Sequence, residues 1–350
     1  MLKRLALSTL AALLLSACLP AQDFHQSAHT GIESLQQWYN PATGLYRTTG
    51  WWNSANTITV LADSAKLGHK RSIKPILAHT FKLAPQQAAN FLNNYYDDEG
   101  WWALAWIDAY DVTHHAPYLH MAQTIFANMA GGWDDTCSGG IWWSKDRTYK
   151  NAIANELFLS VAAHLANRVP ADQQQQYLTW AQREWTWFQH TGMINADHLI
   201  NDGLDKSCHN NNKTTWTYNQ GVILGGLTQL SQRAPDPALL QQANAIASAA
   251  ITHLADRNGI LHDPCEPKCG GDAPQFKGIF MRNLSALDHA APNPAYATFI
   301  RNNARSILTN DTADSTKFGL IWSGPYIHAD AATQTSALDA IIAAAALPSH

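Results

Sequence analysis

Six apolar segments rich in glycine and alanine alternate along this chain with six polar, amphipathic ones, and this alternation restricts the fold more than any other feature. The apolar set covers residues 52–67, 99–112, 151–166, 217–231, 278–289 and 335–347. Each follows a lead-in rich in Trp, Tyr, Asn or Gly. Their periodicity is helical, and a helix that is apolar nearly all round belongs inside. The other set covers 29–39, 71–90, 116–129, 171–190, 236–256 and 293–308. Those stretches carry one apolar stripe, as surface helices do. The pairs repeat every 50 to 65 residues or so, an internal structural repeat with weak sequence identity. Six buried helices inside six surface helices predict an all-α (α/α)6 barrel or toroid; an irregular helical bundle is the alternative. In a toroid the inner helices run parallel, so their polar-aromatic N-terminal ends meet at one mouth.

The first residues place Lys3 and Arg4 before an apolar run from Leu5 to Leu15, too short to span a bilayer. Residues 1–21 therefore predict an export signal. Two processing sites compete, a lipobox ending at Cys18 and an ordinary cleavage after Ala21, and the lipobox is preferred. Residues 22–350 then form a single catalytic domain, secreted or held at the cell surface or in the periplasm. Contact with a membrane is expected only through a lipid on Cys18, and the protein is expected to be a monomer. A net charge of −4 leaves no basic footprint for nucleic acid. The 14 Trp, 11 Tyr and 10 Phe supply either a large aromatic core or faces for stacking on sugars.

Beyond Cys18 the chain has Cys137, Cys208, Cys265 and Cys269. In an oxidising compartment these form disulfides, and three pairings are open. One of them closes Cys265 to Cys269 locally and joins Cys137 to Cys208. A zinc site lacks a second pair of ligands, so no metal and no cofactor is expected.

The motif that best suits chemistry is Tyr95-Tyr96-Asp97-Asp98-Glu99-Gly100-Trp101-Trp102. Its plainest reading is a helix start, with Asp98 as the cap and Glu99 at the positive end of the dipole. Capping needs one acid, however, and here two stand between paired aromatic residues. Retaining glycosidases need two carboxyls ~5–5.5 Å apart, a nucleophile and an acid/base. Such close acids divide their protonation states.

A second acidic pair, Asp134 and Asp135, lies in a glycine-rich loop with Trp133 and Trp142. It reads as a structural turn, a sugar subsite or a calcium loop. Asn151 and Asn155, one helical turn apart, and Tyr218, Asn219 and Gln220 begin two other inner helices. Their amides serve either a core network or a ligand. The substrate-binding set expected from these motifs is Tyr96, Trp101, Trp102, Trp133, Asp134, Asp135, Trp142, Asn151, Asn155, Tyr218, Asn219 and Gln220.

In order and content, these motifs resemble family 76 glycoside hydrolases over residues 38–325. The resemblance implies an (α/α)6 barrel, action on α-1,6-mannan and retention of anomeric configuration. It implies Asp97 as the nucleophile and Asp98 as the general acid/base. The partner would be α-mannan or manno-oligosaccharides. Fungal relatives that transglycosylate share the double Asp but usually end in a lipid-anchor signal. The alanine-rich C-terminus here favours hydrolysis, with endo action. The competing readings are a non-catalytic mannan-binding surface lipoprotein, which the intact acid pair disfavours, and another toroid sugar enzyme, a transglycosylase or epimerase.

Overall fold

The computed structural model describes residues 23–348. The expected leader, with Cys18 and both cleavage sites, lies outside the described residues. Twelve α-helices dominate. The outer set is α1 (Phe24–Leu35), α3 (Lys70–Leu83), α5 (Ala116–Ala130), α7 (Ala171–Phe188), α9 (Pro237–His253) and α11 (Pro294–Asn310). The inner set is α2 (Trp51–Ser64), α4 (Tyr96–Thr113), α6 (Ala152–Ala166), α8 (Thr217–Arg233), α10 (Phe276–Ala290) and α12 (Ala331–Ala346). Each inner helix packs on the next, and α12 returns to α2, closing the ring. The fold is the expected (α/α)6 barrel. Two short hairpins, β1 (Tyr39–Asn40) with β2 (Leu45–Tyr46) and β3 (Thr312–Ala313) with β4 (Lys317–Phe318), finish connections on its rim.

Inner helices are buried because almost every position faces a neighbour. In α12 all residues from Ala331 to Ala345 are buried. Small residues let the ring close tightly. A Cβ on Gly221 would stand 2.6 Å from the Phe280 Cα, and one on Gly278 would stand 2.6 Å from the Ser336 Cα. At both crossings, α8 on α10 and α10 on α12, backbone meets backbone, which only glycine permits.

The largest boundary difference is in the second amphipathic stretch, which was expected to run to residue 90: α3 stops at Leu83 and two short 3-10 turns follow. Pro85 ends it, because a proline crowds the helical conformation of the residue before it.

Candidate active site

The N-terminal ends of five inner helices meet at one mouth around a pocket of about 500 Å³. Trp52 of α2, Asp97, Asp98 and Trp101 of α4, Asn151 before α6, Tyr218 of α8 and Phe276 of α10 all line it. Tyr95, Trp143, Tyr149, Asp202 and Asp272 complete the wall from loops. Aromatic faces dominate. Tyr218 and Phe276 stack with centroids 3.8 Å apart, and Trp52 stacks on Trp101 at 5.6 Å. The loop acids are fixed by neighbours: Trp52 Nε1 donates to Asp272 Oδ1 at 2.8 Å, and the Tyr149 hydroxyl to Asp202 Oδ2 at 2.5 Å.

Asp98 is not the cap of α4. Tyr95 holds that position in an extended conformation, and Asp97 and Asp98 follow within the first turn. The expected capping role fails because the main chain enters one turn earlier, where the Tyr96 amide donates to the Trp143 carbonyl at 2.9 Å. Both acids are left free to face the pocket. Asp97 Oδ2 accepts the Trp143 indole N–H at 2.9 Å, and its Oδ1 accepts the Asp98 amide at 3.1 Å. Asp98 Oδ2 accepts from Asn93 Nδ2 at 2.6 Å. Burial raises Asp97 to about 8, helped by the charge of Asp98. Burial also raises Asp98 to about 6, opposed by Asn93 and assisted by Asp272.

Several expected pocket residues are placed elsewhere. Trp102 is fully buried among Trp51, Phe91 and Trp106, because adjacent helical positions face directions about 100° apart. Tyr96 is 5% exposed, with Gly132 against its ring. Asn155 and Gln220 are structural clamps. Asn155 accepts the Ile141 amide and donates to its carbonyl; Gln220 does the same with Ile200. Gln334 likewise accepts from the Phe318 amide and donates to Thr316 O. Each is the fourth residue of its helix, so a side-chain amide there fastens the preceding loop as a neighbouring strand would. Asn219 is fully buried behind the pocket wall.

The loop carrying the second acidic pair supports the site from outside. Its Lys150 ammonium fills a cage of oxygens from Asp134, Thr136, Gly139 and Gly140. Burial acts to raise Asp134, but hydrogen bonds from Lys150, Trp142 and the Thr136 amide prevail and hold it at about 2. Asp134 is thus engaged by Lys150 and Trp142 and does not line the pocket, and the ammonium stands where a calcium ion was a candidate. Trp142 donates its indole N–H to Asp134 at 2.7 Å. Trp133 and Asp135 line a separate outer hollow near the Cys137–Cys208 disulfide, and Arg183 covers the Trp133 ring. The second disulfide joins Cys265 to Cys269.

The site residues missing from the sequence reading are Trp52, Tyr95, Trp143, Tyr149, Asp202, Asp272 and Phe276. Trp143 stood beside Trp142, and in an extended segment neighbours point to opposite sides. Asp202 and Asp272 sit in loops with no pattern to mark them.

The chain is similar over most of its length to known proteins. A mannan endo-1,6-α-mannosidase of Candida albicans is 27% identical over 306 residues, covering 79% of this chain and 66% of that protein. Another, from Eremothecium gossypii, is 29% identical over 251 residues, covering 65% of this chain and 54% of its own length. The chain thus spans two thirds or less of the length of these two curated relatives. Among solved structures, an α-1,6-mannanase from a Salegentibacter species superposes with a TM-score of 0.84 at 23% identity, covering 92% of this chain and 99% of that one. A variant of that mannanase, inactivated by replacing two consecutive aspartates with alanine, was solved with an α-1,6-linked mannose tetrasaccharide. The profile of Glycosyl hydrolase family 76 matches residues 23–349. The chain belongs to that family and is a glycoside hydrolase.

Proposed function

We propose that the protein is an exported endo-acting hydrolase of α-1,6-mannan that retains anomeric configuration. The observation that carries this reading is the pair of adjacent carboxyls at the start of α4, facing an aromatic-walled pocket. Aromatic faces suit the apolar faces of pyranose rings; the Asp202 and Asp272 carboxylates can accept hydrogen bonds from hydroxyls, and the Asn151 amide can donate one. The activities of the relatives and the sugar bound to the inactivated Salegentibacter variant support mannan as the substrate class.

In the proposed reaction a carboxylate oxygen of Asp97 attacks the anomeric carbon. The Asp98 proton passes to the leaving glycosidic oxygen as its bond to that carbon breaks. A water then gives a proton to Asp98, attacks the same carbon and displaces Asp97. The pair must hold one proton, and burial with mutual repulsion supplies that near neutral pH. Burial acts to leave the proton on Asp97. The Trp143 indole, the Asp98 amide and the positive end of α4 all favour charge there. The assignment of Asp97 as nucleophile rests on those donors.

Both disulfides suit an oxidising compartment, in keeping with export and with a lipid on Cys18 as the means of attachment. Among the described residues no helix is long and apolar enough to cross a membrane. We read the protein as a monomer. The test is incubation with linear α-1,6-mannan, following product sizes by chromatography and the first anomer by NMR. Short oligomannosides released as the α-anomer are expected, with turnover lost in Asp97→Asn. Release of the β-anomer first, or near-normal activity of that variant, would overturn the assignment.

A further inference from the structure

Behind the two acids, three side chains from different segments form a continuous chain of contacts. Lys145, 34% exposed on its loop, places its ammonium 2.8 Å from Oε1 of the fully buried Glu99. The same ammonium donates to the Asn93 carbonyl at 2.5 Å, and Glu99 Oε1 accepts the Asn93 amide at 3.3 Å. Both main-chain polar groups of Asn93 are therefore held by one ion pair. Its side chain is fixed at both ends as well: Oδ1 accepts the Tyr95 amide at 2.8 Å, and Nδ2 donates to Asp98 Oδ2 at 2.6 Å. No rotamer freedom remains in the group that touches Asp98.

The loop that supplies Lys145 also supplies Trp143, whose indole N–H holds Asp97. Further contacts tie that loop to the residues before α4: the Lys145 amide donates to Asn94 O at 2.9 Å, and Asn94 Nδ2 to Asp146 at 2.8 Å. One loop thus reaches both acids, directly on one and through two intermediaries on the other.

We propose that Asn93, clamped by the Lys145–Glu99 pair, is a positioning residue that orients the Asp98 carboxyl for proton transfer to the leaving oxygen. The inference rests on the reading of Asp98 as general acid/base. Asn93 offers Asp98 a donor, and donors stabilise a carboxylate over its acid. The charged and titratable groups that face Asp98 are Asp97 and Glu99 on its own helix, Asp272 across the pocket, and Lys145 behind Glu99. Of these, Asp272 joins burial in holding the Asp98 proton on. Asn93 is the neutral group opposing burial and Asp272, and its removal should let Asp98 stay protonated to higher pH.

The test compares wild type, Asn93→Ala and Lys145→Met on α-1,6-mannan and on a 2,4-dinitrophenyl α-1,6-mannobioside, whose leaving group needs no proton. For Asn93→Ala, kcat/KM on mannan should fall about 10- to 100-fold while that on the aryl glycoside stays within about threefold. The alkaline limb of kcat/KM on mannan should move up by about half a pH unit or more. Lys145→Met should move both readouts in the same direction by less, and it carries the test if Asn93→Ala does not fold. Equal losses on the two substrates, or an unmoved alkaline limb, would show a merely structural part and overturn the inference. A wild-type protein that releases no reducing sugar from mannan would instead overturn the functional reading, and this inference with it.

Discussion

Lys150 holds Asp134 from inside its loop: the ammonium is 2.8 Å from the carboxylate, and four main-chain carbonyls converge on the same nitrogen. A side chain here does what a bound ion does in other glycine-rich loops. It neutralises oxygens that the loop turns inward, and Lys150 is itself only 2% exposed. The loop needs this anchor because its far end presents Trp143 and Lys145 to the residues around Asp97 and Asp98.

Lys150→Met removes the charge and leaves the inward oxygens without a donor. Asp134 is partly exposed, so the main cost is that of leaving buried acceptors unsatisfied, about 1–3 kcal/mol. Denaturant unfolding should show a loss in that range, with activity falling alongside as the loop loosens. A loss below about 1 kcal/mol would mean that water replaces the ammonium adequately.

Trp143→Phe separates the indole's hydrogen bond from its packing. The ring still lies against Tyr95, at a centroid distance of 5.0 Å in the native protein. The donor to Asp97 goes, together with the part of the indole that exceeds a phenyl ring. Hydrogen bonds to charged groups contribute about 1.5–3 kcal/mol, so kcat should drop roughly 10- to 100-fold. Steady-state kinetics on mannan should show KM little changed, and an undiminished kcat would remove the donor from the mechanism.

The two disulfides should differ widely in their effect on stability. Cys137 and Cys208 are 71 residues apart, whereas Cys265 and Cys269 are separated by 4. On the chain-entropy view the longer loop contributes about 4 kcal/mol, and the short one considerably less. Replacing each pair with serines and recording thermal unfolding checks this, and comparable losses would contradict it.

Glu184 on α7 is fully buried, and neither carboxyl oxygen has a hydrogen-bond partner among the described residues. Burial raises it well above the ordinary range, against the opposing charges of Lys150 and Arg183. A raised folded value means that its stabilising contribution is complete below the unfolded pKa of about 4.3 and is lost as pH rises towards the folded one. Over that interval one such group costs about 1.4 kcal/mol per pH unit. Glu184→Gln should therefore flatten the decline of Tm on the alkaline side. An unchanged slope would show Glu184 already ionised in the native protein.

The barrel was legible because its evidence is spread over twelve segments. A single misplaced boundary, such as the end of α3 at Leu83, leaves the alternation intact. The pocket was less legible, since it depends on direction rather than composition. Asp97, Asp98, Trp101, Asn151 and Tyr218 stand at helix starts, where topology alone brings them to one mouth. Between Trp101 and Trp102, or Trp142 and Trp143, residue type is the same and only orientation assigns one to the pocket. Asn155 and Gln220 misled for a related reason. An amide that binds a loop backbone and one that reads a sugar hydroxyl are the same side chain at the same helical position. Asp202 and Asp272 gave no signal, because each is brought to the mouth by a loop.

At the glycine crossings of α8 on α10 and α10 on α12, the distance between helices is fixed by main-chain atoms already touching. Tyr218 and Phe276 begin two of those helices and form the wall opposite α4. The bore of the barrel on that side cannot narrow, and widening it requires a larger residue that forces the two backbones apart. Descendants of this sequence that take a bulkier or more branched glycan are thus expected to differ in their rim loops, while the ring keeps its gauge.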